Sequence, residues 1–222
     1  DVLVNNAGAL FNGRQETTKG LEQSFALLLL SPWQLTRALH PLLTRAGAGG
    51  GESGSMERSR VINVVSGGMY TQGLRVKDLQ ASAAGYNGAI AYARCKRAFT
   101  VVTEEWARDW AGDGIVVNAM HPGWADTPGV ESALPGFHTL TRLVLRTPEE
   151  GADTIIWLAA ASEAAEVSGK LFLDREARPT HLLAKTREPE GEREKLMAFL
   201  EEFTLPEQAS TKATSRRSQA AA

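Results

Sequence analysis

The chain has 222 residues, 43% hydrophobic and 23% charged, with a formal net charge of −2; these bounds suit one globular domain with a sizeable core and a tail. So small a net charge, with the basic residues scattered, supplies no field for gathering nucleic acid. Cys95 is the only cysteine, which excludes an intrachain disulfide. No Cys/His cluster has metal-ligand spacing, and the longest apolar run, Phe25 to Leu30, falls far short of a membrane span of roughly 20 residues.

The opening Asp1-Val2-Leu3-Val4-Asn5-Asn6-Ala7-Gly8 runs three β-formers straight into a polar turn, which predicts a short strand buried on both faces. Residues 21–43 predict a helix with a kink at Ser31-Pro32, because proline cannot donate to the carbonyl one turn back. Ala46 to Ser59 is Gly/Ser-rich and predicts a loop. A strand follows over Val61 to Val65, then a helix over Ala89 to Ala111 and a strand over Ile115 to Met120. Val130 to Arg146 predicts a loop with helical pieces. Thr147-Pro148-Glu149-Glu150 is a helix start, with a threonine cap, proline in the first turn and two acids on the positive end of the dipole; this helix should reach Ala161. A last short strand falls on Leu171 to Asp174. Residues 1–206 then form the domain, and 207–222, small and polar, a disordered tail. There is no internal repeat. Strands alternating with helices predict an α/β fold built on a doubly wound parallel sheet.

Gly49-Gly50-Gly51-Glu52-Ser53-Gly54 satisfies the spacing G-x-G-x-x-G, but a helix precedes it and a strand follows. A dinucleotide loop needs the reverse order, so that the helix N-terminus faces the pyrophosphate; this stretch is expected to be a solvated linker. The chemistry lies further on. Tyr92 and Lys96 stand four residues apart on one helical face, and an ammonium beside a phenol favours the phenolate, so the pair could exchange a proton with a carbonyl or an alcohol. A half-buried tyrosine beside a snorkelling lysine would look the same. Ser66 ends the strand over 61–65, where open α/β sheets carry their reactive groups, although it also suits a turn before Gly67-Gly68. His121-Pro122-Gly123-Trp124-Ala125-Asp126-Thr127 ends the next strand, and equally suits a Pro-Gly turn with Thr127 as a helix cap. An α/β hydrolase is excluded, since Ser66 sits in V-V-S-G-G without the G-x-S-x-G nucleophile elbow.

Asn5-Asn6-Ala7-Gly8, Ser66, Tyr92-x-x-x-Lys96 and Pro122-Gly123-x-x-x-Thr127, in that order, resemble the short-chain dehydrogenase/reductase family. Longer strings, among them Val65-Ser66-Gly67-Gly68-Met69 and His121 to Val130, look most like its member-12 type, and the resemblance runs from Asp1 to about Phe203. It implies a Rossmann-type fold, NAD or NADP as cofactor, and hydride transfer between the nicotinamide and a small or lipophilic carbonyl/alcohol. It also implies roles: Ser66 holds the substrate oxygen, Tyr92 exchanges the proton, and Lys96 lowers the tyrosine pKa and binds the ribose. Asn5, Ala7 and Gly8 would pass the cofactor ribose; Pro122, Gly123, Ala125 and Thr127 would orient the nicotinamide. In this family the Gly-rich half precedes the Asn-Asn-Ala-Gly strand, so the chain is expected to be an N-terminally truncated domain, inactive as it stands. A non-catalytic binding or scaffold protein on the same fold is the alternative. The expected partner is a small-molecule substrate, with no nucleic acid and no membrane span; homo-oligomerisation is left open, and the expected compartment is the cytoplasm.

Two departures from the family pattern stand out. The stretch between Ser66 and Tyr92 is longer than in many members and is expected to form a flap beside the site, around Leu74 to Asn87. In Phe25-Ala26-Leu27-Leu28-Leu29-Leu30, Leu28 stands where the family places the asparagine of its proton relay. The apolar residues Leu134, Pro135, Phe137, Leu140, Leu143, Val144 and Leu145 fall in what would be the substrate cover; they more readily suit packing of a short helix onto the sheet, but an apolar cover favours a hydrophobic substrate.

Overall fold

The computed structural model of the chain describes residues 1–48, 58–123 and 145–203. Four strands, β1 (Val2–Asn5), β2 (Ser59–Val64), β3 (Ile115–Met120) and β4 (Leu171–Leu173), lie side by side in chain order and in parallel. This is the predicted parallel sheet, with the β3 bounds as expected and the others shifted by one or two residues. A fifth strand, β5 (Glu176–Arg178), turns back antiparallel on β4. Its turn places Asp174 and Arg175 at φ of 55° and 60°. A two-residue hairpin with both positions left-handed usually shows Asn-Gly or Asp-Gly, and the Asp-Arg pair here hides it in the sequence.

The helical path from β1 to β2 starts at Glu22. Both of its carboxylate oxygens accept from backbone N–H groups, those of Ser24 and Phe25, so a fully buried acid caps helix α1 (Gln23–Phe25). The expected kink takes the form of a π-helical turn over Ala26–Leu30. Ser31 donates its N–H to Ala26, five residues back, and Pro32 has no N–H to offer Leu28, so the ladder slips by one residue before α2 (Ser31–Ala48). That helix runs through Pro41 and ends beyond the expected Leu43. Helix α3 (Gly88–Asp109) is capped by Asn87, whose side chain accepts from the Ile90 N–H. Gly88 is required at its start: a Cβ there would lie 1.9 Å from the Phe11 carbonyl oxygen, in the loop that follows β1. Helix α4 (Pro148–Ala160) has the capping box its sequence announced, with Thr147 Oγ1 accepting from Glu150 N–H and Glu150 accepting from Thr147 N–H. Helix α5 (Glu192–Glu201) is an element that the sequence reading did not contain.

Strand alternation sends side chains to two cores. Leu3, Val61, Val65, Ile115, Val117 and Ala119 meet α2, α3 and α5, while Ile62, Val64, Met120 and Phe172 meet Leu158 of α4. Val2 and Val4 point to the α4 side, in register with Arg60 and Ile62, yet stay 48% and 38% exposed. The expectation of a first strand buried on both faces therefore fails on that face: among the described residues β1 pairs only with β2. The G-x-G-x-x-G stretch at 49–54 and the tail at 207–222 lie outside the described residues.

Candidate active site

The carboxyl ends of β1, β2 and β3 and the middle of α3 converge on one place. Beyond β2, Ser66 turns the chain into a 3-10 turn (Gly67–Thr71), its hydroxyl accepting from the Gly68 N–H at 3.2 Å. Tyr92 and Lys96 face the same point from successive turns of α3. The Lys96 ammonium donates to the Val64 carbonyl at 2.7 Å and lies 5.7 Å from the Tyr92 ring centroid, and the Ser66 side chain is near enough to the Tyr92 phenol to act on its pKa. From β1 comes Gly8: a Cβ placed on it would be 3.8 Å from Lys96 Nζ and 3.2 Å from a methyl of Leu28. Gly8, Ser66 and the Tyr92–Lys96 pair, remote from one another in sequence, are thus brought together, with buried Leu28 as an apolar neighbour.

A hydrogen-bonded ladder holds the strands beneath it. The Asn5 amide donates to Thr36 of α2 (2.9 Å) and to Asn63 of β2 (2.8 Å), and Asn63 donates to Thr103 of α3 (2.9 Å). Its side chain so engaged, Asn5 ties the sheet to both helices and leaves only its backbone and the following Asn6-Ala7-Gly8 turn to face the cleft.

Burial governs the electrostatics. It pushes the Lys96 pKa down from 10.5 to about 8, since a desolvated ammonium with one carbonyl partner is costly. Burial also raises the Tyr92 pKa, against a smaller lowering by the nearby Ser66 side chain. Burial of the phenol therefore acts opposite to the lowering expected from Lys96, and Tyr92 is a protonated phenol at neutral pH.

Three features of the cleft escaped the sequence reading. His121, one residue past β3, lays its ring against Gly67; its Nδ1 is 3.8 Å from where a Gly67 Cβ would stand, buried and without a partner among the described residues. Burial first, then the Arg146 charge, lowers its pKa, so this imidazole is neutral at physiological pH. Arg146 pairs with Asp174, Nη2 to Oδ2 at 2.9 Å, and its guanidinium carbon would stand 3.0 Å from a Cβ on Gly123, whose φ is +75°. The Pro122-Gly123 turn is therefore closed over by an ion pair, and only glycine suits that position. Arg97, fully buried on α3, donates to the carbonyls of Gln72 and Met69 in the loop after Ser66 and of Thr180 in the segment after β5. The only sequence signal for Arg97 is its adjacency to Lys96. Ala125, Thr127 and nearly all of the expected apolar cover lie outside the described residues; of that cover, Leu145 alone is described, half-buried.

The donor set suits the nicotinamide–ribose half of a dinucleotide. Gly8 leaves room for close approach, and Lys96 has two further N–H groups beyond the one given to Val64. Among the described residues no G-x-G-x-x-G turn joins a strand to a helix, and no group of three His, Cys, Asp or Glu could hold a metal ion.

Comparisons with known proteins converge on one family. The family profile described as short chain dehydrogenase matches residues 1–136. The chain is 45% identical over 205 residues to dehydrogenase/reductase SDR family member 12 of Bos taurus, and 43% identical over 204 residues to that of Homo sapiens, covering 91% of this chain in each case. It spans 61% of the length of both relatives. Polyprenol dehydrogenase of Mus musculus is 35% identical over 185 residues, covering 80% of this chain and 53% of that protein. Among solved structures, an uncharacterized protein from Mycobacterium paratuberculosis superimposes with a TM-score of 0.64 at 23% identity, over 91% of this chain and 66% of that one. The 3-ketoacyl-(acyl-carrier-protein) reductase of Brucella melitensis, complexed with NADH, gives 0.56 at 22% identity, over 78% and 64%. These two share the fold. With a matching profile over more than half its length, and Ser66, Tyr92 and Lys96 gathered at the ends of a parallel sheet, the chain belongs to the short-chain dehydrogenase/reductase family.

Proposed function

We propose that the protein is an NAD(P)-dependent oxidoreductase that reduces a small or lipophilic carbonyl compound, or runs the reverse oxidation of the alcohol. The observation that carries this reading is the Ser66–Tyr92–Lys96 cluster: a phenol beside a serine at the end of β2, with a buried ammonium 5.7 Å from its ring. A bound nicotinamide would supply or accept the hydride. Ser66 holds the substrate oxygen, and Tyr92, a protonated phenol, delivers a proton to that oxygen as the carbonyl becomes an alcohol. A protonated Tyr92 suits the acid role that reduction requires. Lys96 offers its remaining N–H groups to the ribose hydroxyls. The Asn6-Ala7-Gly8 turn and Pro122-Gly123 border the same space, with Ala125 and Thr127 assigned to the nicotinamide by family resemblance. Names among the relatives support a lipophilic substrate, since retinol dehydrogenase 14 of Mus musculus and polyprenol dehydrogenase of Mus musculus match over 78% and 80% of this chain.

A second reading, a binding protein without turnover, draws on Leu28. This buried side chain lines the cleft beside Gly8 and Lys96 where the family relay would have a polar group.

The test joins the chain behind a strand–Gly-rich turn–helix half and follows NADPH or NADH oxidation with short and long-chain aldehydes. Tyr92→Phe keeps the ring and removes only the transferable proton. Turnover should vanish while cofactor fluorescence titration stays unchanged. Near-normal turnover in the variant overturns the assignment of Tyr92, and a folded, cofactor-binding parent that turns over no carbonyl supports the second reading.

A further inference from the structure

After β5 the chain turns back over the loop that carries Ser66, and residues 179–187 are tied down closely. Tyr70 donates its phenol proton to the Pro179 carbonyl (2.8 Å), Arg97 donates to Thr180 (2.7 Å), and Thr186 Oγ1 donates to the Leu183 carbonyl (2.7 Å). His181 Nδ1 lies 3.2 Å from the same Thr186 hydroxyl, and Thr186 is buried. In the middle of this pinned segment Leu182 and Leu183 are 63% and 48% exposed. The hydrogen bonds hold them out and keep them from folding back onto the core.

Cations surround the two leucines. Lys185 and Arg187 follow in the same segment, both exposed. Arg75, which precedes the neighbouring 3-10 turn (Val76–Asp78), and Lys77 within it are also exposed, and that turn is joined to this segment where Gly73 packs on Lys185 and Thr186. None of the four has an ion-pair partner among the described residues. Asp78 faces Arg94 at 3.8 Å, and Glu188 faces His181 and Arg193 at 3.2 Å each, which leaves Glu190 and, on α5 packed against that turn, Glu194 as the exposed acids nearby.

We propose that this face docks on an anionic lipid bilayer. Leu182 and Leu183 enter the boundary between headgroups and acyl chains, while Lys185, Arg187, Arg75 and Lys77 sit at headgroup depth. Apolar insertion combined with cationic attraction is the physics of interfacial binding, and it requires no membrane-spanning helix. The docked segment is bonded through Arg97 and Tyr70 to the loop after Ser66. It therefore sets the mouth of the cleft beside the bilayer, the reservoir of a lipophilic alcohol or aldehyde. This last step rests on the oxidoreductase reading; the docking itself does not.

Vesicle co-sedimentation of the chain tests it, with phosphatidylcholine alone and with about 30% phosphatidylserine. The chain should partition onto the anionic vesicles, and salt should weaken the binding. The double variant Leu182→Ser/Leu183→Ser should lower the partition coefficient about tenfold, and Lys185→Glu/Arg187→Glu should abolish the preference for phosphatidylserine. Leu35→Ser on α2, where the leucine is 49% exposed, should change nothing. Circular dichroism keeps misfolded variants out of the comparison. No binding by the parent chain, or equal losses from Leu35→Ser and the Leu182/Leu183 pair, overturns the proposal. So does a leucine effect seen only on self-association in lipid-free sedimentation velocity, which would make the occupant a second copy. Cofactor and turnover play no part in this measurement, so its failure leaves the oxidoreductase reading standing.

Discussion

Replacing Lys96 by methionine should remove a pH dependence from the stability of the chain. Lys96 is 3% exposed, and burial lowers its pKa from 10.5 to about 8. Below pH 8 the lysine is protonated in both the folded and the unfolded chain, and the folded state carries the full cost of a desolvated charge. From pH 8 towards 10.5 the folded chain has released a proton that the unfolded chain still holds, so the unfolded state binds more protons and stability rises with pH. One pKa unit is worth about 1.4 kcal/mol, so from pH 7 to 9 this single group should add about 1.3 kcal/mol. Neighbouring Cys95 acts in the opposite sense, because burial raises its thiol pKa and the unfolded chain ionises first; that contribution is common to parent and variant. Urea unfolding of both at pH 7, 8 and 9 isolates the difference. The parent should gain about 1.3 kcal/mol on Lys96→Met across this interval, or about 3 °C in Tm for a domain of this size. Parallel pH profiles would refute the buried, depressed ammonium, whatever the offset between them from the lost bond to Val64. Lys96→Gln serves as the comparison if the methionine variant does not fold.

Leu28→Asn, in the chain joined to a Gly-rich half, should raise turnover by restoring a polar group beside Lys96, at a stability cost of about 1–3 kcal/mol for the buried amide; equal or lower turnover in a folded variant would make Leu28 an ordinary wall residue. Gly88→Ala should cost about 3 kcal/mol or more, since its Cβ would meet backbone at 1.9 Å and backbone cannot swing away. A loss below about 1 kcal/mol in urea unfolding would show that the Phe11 loop gives way. Thr147→Ala should cost about 1 kcal/mol by opening the capping box of α4, and Thr147→Ser should recover most of it; equal stability of the alanine variant would assign no net stability to the cap.

Local signals carried the parts of this fold that depend on neighbours in the chain. The β3 run Ile115 to Met120 is apolar enough to be a strand buried on both faces, and Thr147-Pro148-Glu149-Glu150 announces α4 because capping is chemistry between residues three apart. The spacing of Tyr92 and Lys96 follows from helical periodicity, and their order after Ser66 is enough to identify the family. Helix α5 was illegible: its fixing contacts, Arg193 with Glu104 and Arg37 with Glu201, come from partners far away in sequence. The hairpin at Asp174-Arg175 was hidden because packing against β4 overrides weak turn propensity. The kink at Pro32 was foreseen from a missing N–H, but its form as a π-helical turn depends on how the helix packs. Which residues are reactive candidates was thus a property of the sequence, since residue type and spacing define a phenol, an ammonium and a hydroxyl. Their protonation belongs to the tertiary structure alone. Spacing argues for a lowered Tyr92 pKa, whereas burial, which only the packed α3 and β2 create, raises it and pushes Lys96 down to about 8. Desolvation depends on everything that surrounds a group, and most of what surrounds Tyr92 and Lys96 comes from distant parts of the chain.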